Sequence, residues 1–269
     1  MKFGLKGLLA IAAVASALVL SGCGDKQADT TKIKVGVMAG AEAQVAEVAA
    51  KVAKEKYGLD VELVTFTDYV TPNAALDDGS IDINAFQHKP YLDQQVTDRG
   101  YKLTIAGNTF VYPIAGYSKQ VKSVDEIQDG ARIAVPNDPT NLGRSLLLLE
   151  QQGLLKLRDG VGLLATVRDI AENPKNITIV ELDAAQLPRS LDDVALSIIN
   201  TTYASSIDLT PQKDGVFVED KESPYVNLIV AREDNVKAEN VQNFVKSYQT
   251  DEVYTAASDI FKGGVVKGW

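Results

Sequence analysis

A chain of 269 residues with 45% hydrophobic and 23% charged side chains and only nine prolines can bury a large core, which excludes an intrinsically disordered protein. Its formal net charge of −9 repels nucleic acid and keeps the surface soluble, so nucleic-acid binding is excluded too. One cysteine and one histidine exclude a disulfide, a cysteine-ligated metal and a His-rich zinc site.

Residues 1–22 read as an export signal: a basic start (Lys2, Lys6), an apolar run from Leu8 to Leu20, then Leu20-Ser21-Gly22-Cys23. The run is too short and wrongly flanked to span a membrane. Leu-Ser-Gly-Cys fits the lipobox at every position, so cleavage before Cys23 and acylation of its thiol are expected; the alternative is a secreted protein with a stray cysteine. More than one acyl chain makes a stable anchor. The mature chain then has 247 residues and, having lost two lysines and no acid, a side-chain charge of −11. It is expected at the cell membrane, facing the periplasm or the exterior. Gly24, in place of the aspartate associated with inner-membrane retention, leaves the leaflet open. Residues 23–31 are small and polar, a flexible tether of about 15 Å.

Beyond the tether, strands and helices alternate. Lys32 to Met38 is apolar at every second position and turns through Ala39-Gly40-Ala41 into a helix from about Glu42 to Tyr57. Val61 to Phe66 is the next strand, and Thr71-Pro72 reads as an N-cap with proline at the first helical position of a helix ending before Gly79. Ile81 to Phe86 is a third strand, and Pro90 marks the first turn of a helix to about Arg99. Three such units predict a parallel sheet covered on both faces. Thr109 to Tyr117 is a long extended run with a proline inside, read as a crossing between lobes. A second series follows: a short helix at Val124 to Gln128, a strand Ala131 to Val135, a helix from about Asn141 to Leu155, and strands Ile177 to Leu182 and Ala195 to Ile199. A return run, Tyr225 to Val230, precedes helices near Val236 to Tyr248 and Asp251 to Phe261, assigned to the first lobe. The expected fold is α/β, two lobes joined by two crossings that act as a hinge. The first lobe is 32–110 completed by 222–269, and the second is 111–221.

The enzyme inventory is empty. No G-x-S-x-G elbow, Walker loop, G-x-G-x-x-G or H-E-x-x-H is present, and no cofactor is expected. A triad through His88 would need a serine and an acid gathered around it, which nothing local suggests. The pairs Asp77-Asp78 and Asp192-Asp193 sit beside turn residues and read as solvated.

Open α/β sheets bind ligands at the carboxyl ends of their strands. In the first lobe these ends carry Phe66 with Tyr69, then Phe86 with His88 and Tyr91. In the second, one strand runs into Pro136-Asn137-Asp138-Pro139-Thr140-Asn141-Leu142-Gly143-Arg144 and another into Asn200-Thr201-Thr202-Tyr203. One wall is aromatic; the other is amide plus guanidinium. A helix N-terminus with an arginine in its first turn suits a carboxylate, and an aromatic slot suits an apolar or thioether tail. The complement is a zwitterionic amino acid with an uncharged side chain. Each residue has a plainer role: Phe66 and Phe86 as core, Thr140, Asn141 and Thr201 as helix caps, Arg144 as a surface cation.

The same motifs, with Lys34-Val35-Gly36-Val37, Thr65 to Asn73, Asn84 to Leu92, Ile199 to Ala204 and Ser223 to Leu228, closely resemble the methionine-binding lipoproteins of the NlpA/MetQ family over the whole mature chain. The resemblance implies the two-lobed periplasmic substrate-binding fold (type II), with methionine captured in the cleft by hinge closure and delivered to an ABC permease and its ATPase. It also implies that Arg144 holds the ligand carboxylate, that Asn200 and Asn227 bind its amino and carboxylate groups, and that Tyr69, Phe86, His88 and Tyr91 enclose the thioether. Asn227 enters only through the resemblance. Another neutral amino acid or a methionine dipeptide is the alternative cargo; a lipid-tethered hydrolase or an adhesin is the alternative class.

Overall fold

Ile33, Val35 and Val37 alternate with polar or small residues and build β1 (Lys32–Met38), one strand in from an edge of the larger sheet. The computed structural model describes residues 30–220 and 223–269; the export segment and Cys23 lie outside them, as does the expected lobe boundary at 221–222. After β1 the chain reverses at Gly40, whose φ of 92° favours glycine, into α1 (Ala41–Tyr57). Ala43, Val45, Ala46, Ala49, Val52 and Ala53 recur at helical spacing, so α1 lays a narrow apolar stripe on the sheet. β2 (Asp60–Phe66), α2 (Thr71–Asp77), β3 (Ile83–His88), α3 (Lys89–Arg99) and β4 (Leu103–Val111) follow.

Two expectations shift here. Thr71 is the first residue of α2 and not its cap; the Asp68 carboxylate accepts from the N–H of Val70 (2.8 Å) and of Thr71 (2.9 Å). The third strand starts at Ile83 rather than Ile81, because Ile81 packs beneath α2 with Leu76, Leu92 and Leu103 and pairs with no strand. Its apolarity reflects burial, which periodicity alone cannot separate from strand pairing.

The extended run is two strands in two sheets. β4 ends at Val111, Tyr112 to Ile114 cross over, and β5 (Ala115–Tyr117) begins the second sheet. Pro113 sits at the crossing, where it has no N–H to leave unpaired. β6 (Arg132–Pro136), α4 (Pro139–Gln151), the small pair β7 (Lys156–Leu157) and β8 (Ile170–Glu172), and β9 (Thr178–Leu182) come next. Then follow α5 (Leu187–Ser190), β10 (Leu196–Ile199), α6 (Thr201–Ser205), α7 (Pro211–Asp214) and β11 (Gly215–Val218). The expected helix at 124–128 is a single 3-10 turn, Val124–Glu126. α4 stops at Gln151 rather than near Leu155 because Gly153 (φ 70°) turns the chain, dropping Leu154 and Leu155 into the core as loop residues.

β12 (Val226–Arg232) returns to the first sheet, followed by α8 (Glu239–Tyr248), α9 (Asp251–Ile260) and β13 (Val266–Lys267). The order of the first sheet is β13-β4-β12-β3-β1-β2 and of the second β11-β5-β10-β6-β9. β1, β2 and β3 are parallel as expected, but the sheet is mixed: β12 enters from the other sheet and runs antiparallel to both β3 and β4. Val241, Phe244, Val245, Tyr248, Val253 and Ala257 of α8 and α9 share one apolar core with α1 and the first sheet. A separate core, around Ile133, Leu146, Leu149 and Leu196, fills the second.

Candidate functional site

The carboxyl ends of β2, β3, β6 and β10 face one another across the gap between the sheets. His88 ends β3 and caps α3: its Nδ1 accepts from the N–H of Tyr91 (3.1 Å). That leaves the proton on Nε2, which faces Asn141 Oδ1 at 3.4 Å. Burial, with the positive Arg144 second, pushes His88 down to about 3, so its ring stays neutral at neutral pH. With both nitrogens engaged, His88 is badly placed to take a proton from a nucleophile.

Tyr91 stands one turn along α3 and donates its hydroxyl to the carbonyl of Tyr69 (2.8 Å). The rings of Tyr69, Phe86 and Tyr91 pack mutually at 5.9–6.3 Å. Tyr203 of α6 leans across from the other sheet, its centroid 5.0 Å from Tyr69. Behind them Gln87 joins Asn73 and Asn84 in a buried amide trio with bonds of 2.6–3.0 Å, which fixes the end of β3.

On the opposite wall the Asp138 carboxylate caps α4, accepting from the N–H of Asn141 (2.9 Å) and from its side-chain amide (3.1 and 3.0 Å). The expectation that this helix end itself receives a ligand carboxylate is therefore corrected, because an acid of the chain already occupies it. Asn141 lines the gap, but both ends of its amide are engaged: its oxygen accepts from Asn200 Nδ2 (2.9 Å) and from His88. Asn200 Oδ1 is buried with no partner among the described residues. A buried acceptor left open inside a cleft is a place for a donor of the ligand.

Because α4 begins at Pro139, Arg144 falls in its second turn rather than its first. It is 4% exposed and not a surface cation. Its Nε and Nη2 bond Glu219 (2.8 and 2.5 Å), Nη2 also donates to the carbonyl of Tyr112 (3.1 Å), and the Tyr225 ring lies 4.2 Å from the guanidinium carbon. Nη1 makes no hydrogen bond to a described residue and remains available. Asn227, opposite His88 in the β12–β3 pairing, donates to the carbonyl of Phe86 (3.0 Å).

Tyr69, Phe86, His88, Tyr91, Asn141, Arg144 and Asn200, with Asn227 that the family resemblance added, line a single cavity of about 20 Å³. Gln87, Tyr112, Thr201 and Thr202 complete it. The threonines stand in a motif whose Thr201 reads from the sequence as a helix cap. Tyr112 was hidden in the crossing, and Glu219, behind the wall, carries no local signal.

Thr202 also bridges the sheets, donating its hydroxyl to Glu42 of α1 (2.5 Å). Glu42 is buried, and that burial pushes its carboxyl from 4.5 up to about 7, opposed by the Thr202 bond. A raised carboxyl supports the closed arrangement fully below its ordinary value, and that support is lost as pH rises through about 7. The total is on the order of 3 kcal/mol. Relative to Glu42→Gln, the unsubstituted protein should lose melting temperature between about pH 5 and pH 8; two parallel curves would remove Glu42 from this role.

Two α/β sheets, joined by two crossings around a cavity with one aromatic and one amide-guanidinium wall, define a two-lobed substrate-binding protein. A family model described as NlpA lipoprotein matches residues 33–269, and the chain belongs to that family. A relative from Vibrio cholerae named as a probable D-methionine-binding lipoprotein MetQ is 83% identical, over 100% of both chains. A crystal structure of the methionine binding protein MetQ, 74% identical, has a TM-score of 0.89 and covers 90% of this chain and 99% of its own. A nutrient binding protein from Burkholderia cenocepacia bound to methionine, 52% identical, has a TM-score of 0.86 and covers 88% and 100% respectively.

Proposed function

We propose that the chain captures methionine between its lobes and hands it to an ABC permease driven by its ATPase, as a non-catalytic binding component. The observation that carries this reading is a pair of buried groups on the wall that faces the rings: an arginine with one free nitrogen, and an asparagine oxygen without a donor among the described residues. The carboxylate takes Arg144 Nη1, the ammonium donates to Asn200 Oδ1, and Asn227 assists the polar end. Tyr69, Phe86, His88 and Tyr91 hold the thioether, a soft group that packs well against ring edges. Asn141, already saturated, aligns His88 and Asn200. The names of the relatives, which specify methionine, support the choice of cargo.

The division into an export segment (1–22), a tether from lipidated Cys23 (23–31), a first lobe (32–110 with 222–269) and a second lobe (111–221) belongs to the same reading. So does anchorage at the membrane facing outward. No described helix is long and apolar enough to cross a membrane, and the family name supports lipidation. Two contacts between the lobes, Thr202 to Glu42 and Tyr203 to the carbonyl of Thr67 (3.3 Å), are available to hold the closed form once a ligand favours it.

Calorimetry of the mature protein, stripped of carried-over small molecules, with L-methionine, D-methionine and leucine tests the cargo. Saturable binding of at least one methionine enantiomer, tighter than that of leucine, is expected. No heat with either enantiomer, or tighter leucine, overturns it.

A further inference from the structure

We propose that Glu219 sets the net charge of the molecule the cleft accepts, by holding Arg144 as one half of a neutral pair. This deepens the methionine reading and rests on it. Glu219 directly follows β11, on the second crossing, and its side chain is only 10% exposed. It covers the Nε–Nη2 edge of the guanidinium in a bidentate bond, while Tyr112 on the first crossing takes the remaining Nη2 proton through its carbonyl. The backbone N–H of Glu219 donates to the carbonyl of Ile114 (2.9 Å), so the two crossings are tied together at the point where they grip Arg144. Tyr225 closes the face of the guanidinium. One nitrogen is left for the ligand.

The charge balance follows from this geometry. A buried, unpaired arginine attracts any carboxylate, whatever else the molecule carries. Paired with Glu219, it adds no net charge to the cavity wall and offers a directional donor only. The other ionisable groups near the cavity do not supply a compensating positive charge. His88 is neutral, Asp138 is a carboxylate enclosed by the cap of α4, and Glu42 is a second buried acid at the seam. A zwitterion brings its own ammonium and enters without changing the total. A carboxylate lacking that ammonium brings an uncompensated negative charge close to Glu219 in a poorly solvated space, where like charges repel strongly. Glu219 is thus a positioning residue acting through Arg144, and the class it selects is net-neutral α-amino acids over simple carboxylic acids.

Three ligands of nearly one shape separate charge from fit: methionine, its desamino analogue 4-(methylthio)butanoate, which is an anion, and methionine amide, which is a cation. Glu219→Gln is expected to shift the affinity ratio of anion to cation by about tenfold or more towards the anion. Glu219→Asp, which retains the charge with a shorter reach, should weaken all three while leaving that ratio within about threefold of the unsubstituted value. Parallel losses for all three ligands in Glu219→Gln would reduce Glu219 to a structural role and overturn the proposal. So would an unsubstituted protein that binds the desamino anion as tightly as methionine, an outcome readable even if Glu219→Gln fails to fold. A moved ratio in Glu219→Asp also overturns it. Failure of the unsubstituted protein to bind methionine at all would defeat the methionine reading, a different result from either.

Discussion

Arg144→Ala should bind methionine more weakly by about 2–5 kcal/mol, the usual result of removing one partner of a buried, hydrogen-bonded charge pair. The geometry adds a second effect that the ligand argument alone does not contain. Glu219 would be left with its carboxylate buried and its two strongest donors gone, which costs about 3–5 kcal/mol of fold stability. The variant should therefore both lose affinity in calorimetry and unfold at lower denaturant. Arg144→Met combined with Glu219→Gln separates the two, because it removes both charges at similar volume: stability should largely return while affinity stays low. Unchanged methionine binding in Arg144→Ala would remove Arg144 from the carboxylate role.

Phe110→Ala should destabilise the protein by about 3–5 kcal/mol, as truncation of a fully buried aromatic generally does. Phe110 lies in β4 just before the first crossing, and its ring meets those of Tyr112 (6.0 Å), Tyr248 (5.9 Å), Tyr254 (6.3 Å) and Trp269 (5.0 Å). It joins the sheet to α8, α9 and the chain end, so the hole left by alanine borders several elements that cannot all collapse into it. Trp269 is the only tryptophan and touches the ring directly, so its fluorescence reports unfolding from the right place. Ligand affinity of the folded variant should change little, since Phe110 does not line the cavity. A loss below about 1 kcal/mol would mean that the cluster re-packs freely.

The first half of the chain was readable because its signals are long and local. Ile33, Val35 and Val37 alternate over a whole strand, and Pro90 and Pro139 mark helix starts. The first part of β4 is not legible in the sequence because Gly107 and Asn108 dilute its strand character, and it becomes a strand through pairing with β12 beside it. β7, β11 and β13 have only two to four residues, too few for any period to show. Among the cavity residues, Arg144 could be chosen from its motif, but the edge it presents could not: that is decided by Glu219, 75 positions away. Asp138 stood inside a quoted motif, yet only its geometry reveals that it fills the helix end offered to the ligand. Asn227 has no signature of its own; its place follows from pairing opposite His88, a fact of the sheet and not of the sequence around it.

The seam between Glu42 and Thr202 bears on the proposed export of the chain in a way the cargo chemistry does not. Outside the cytoplasm no buffer shields a receptor from the medium. The His88 imidazole, pushed down to about 3, ignores mild acidification, whereas the Glu42 carboxyl buried at the lobe junction gains its proton and is then less costly to keep away from water. On the reading proposed above, the join between the lobes is then firmer in mildly acidic surroundings than in alkaline ones.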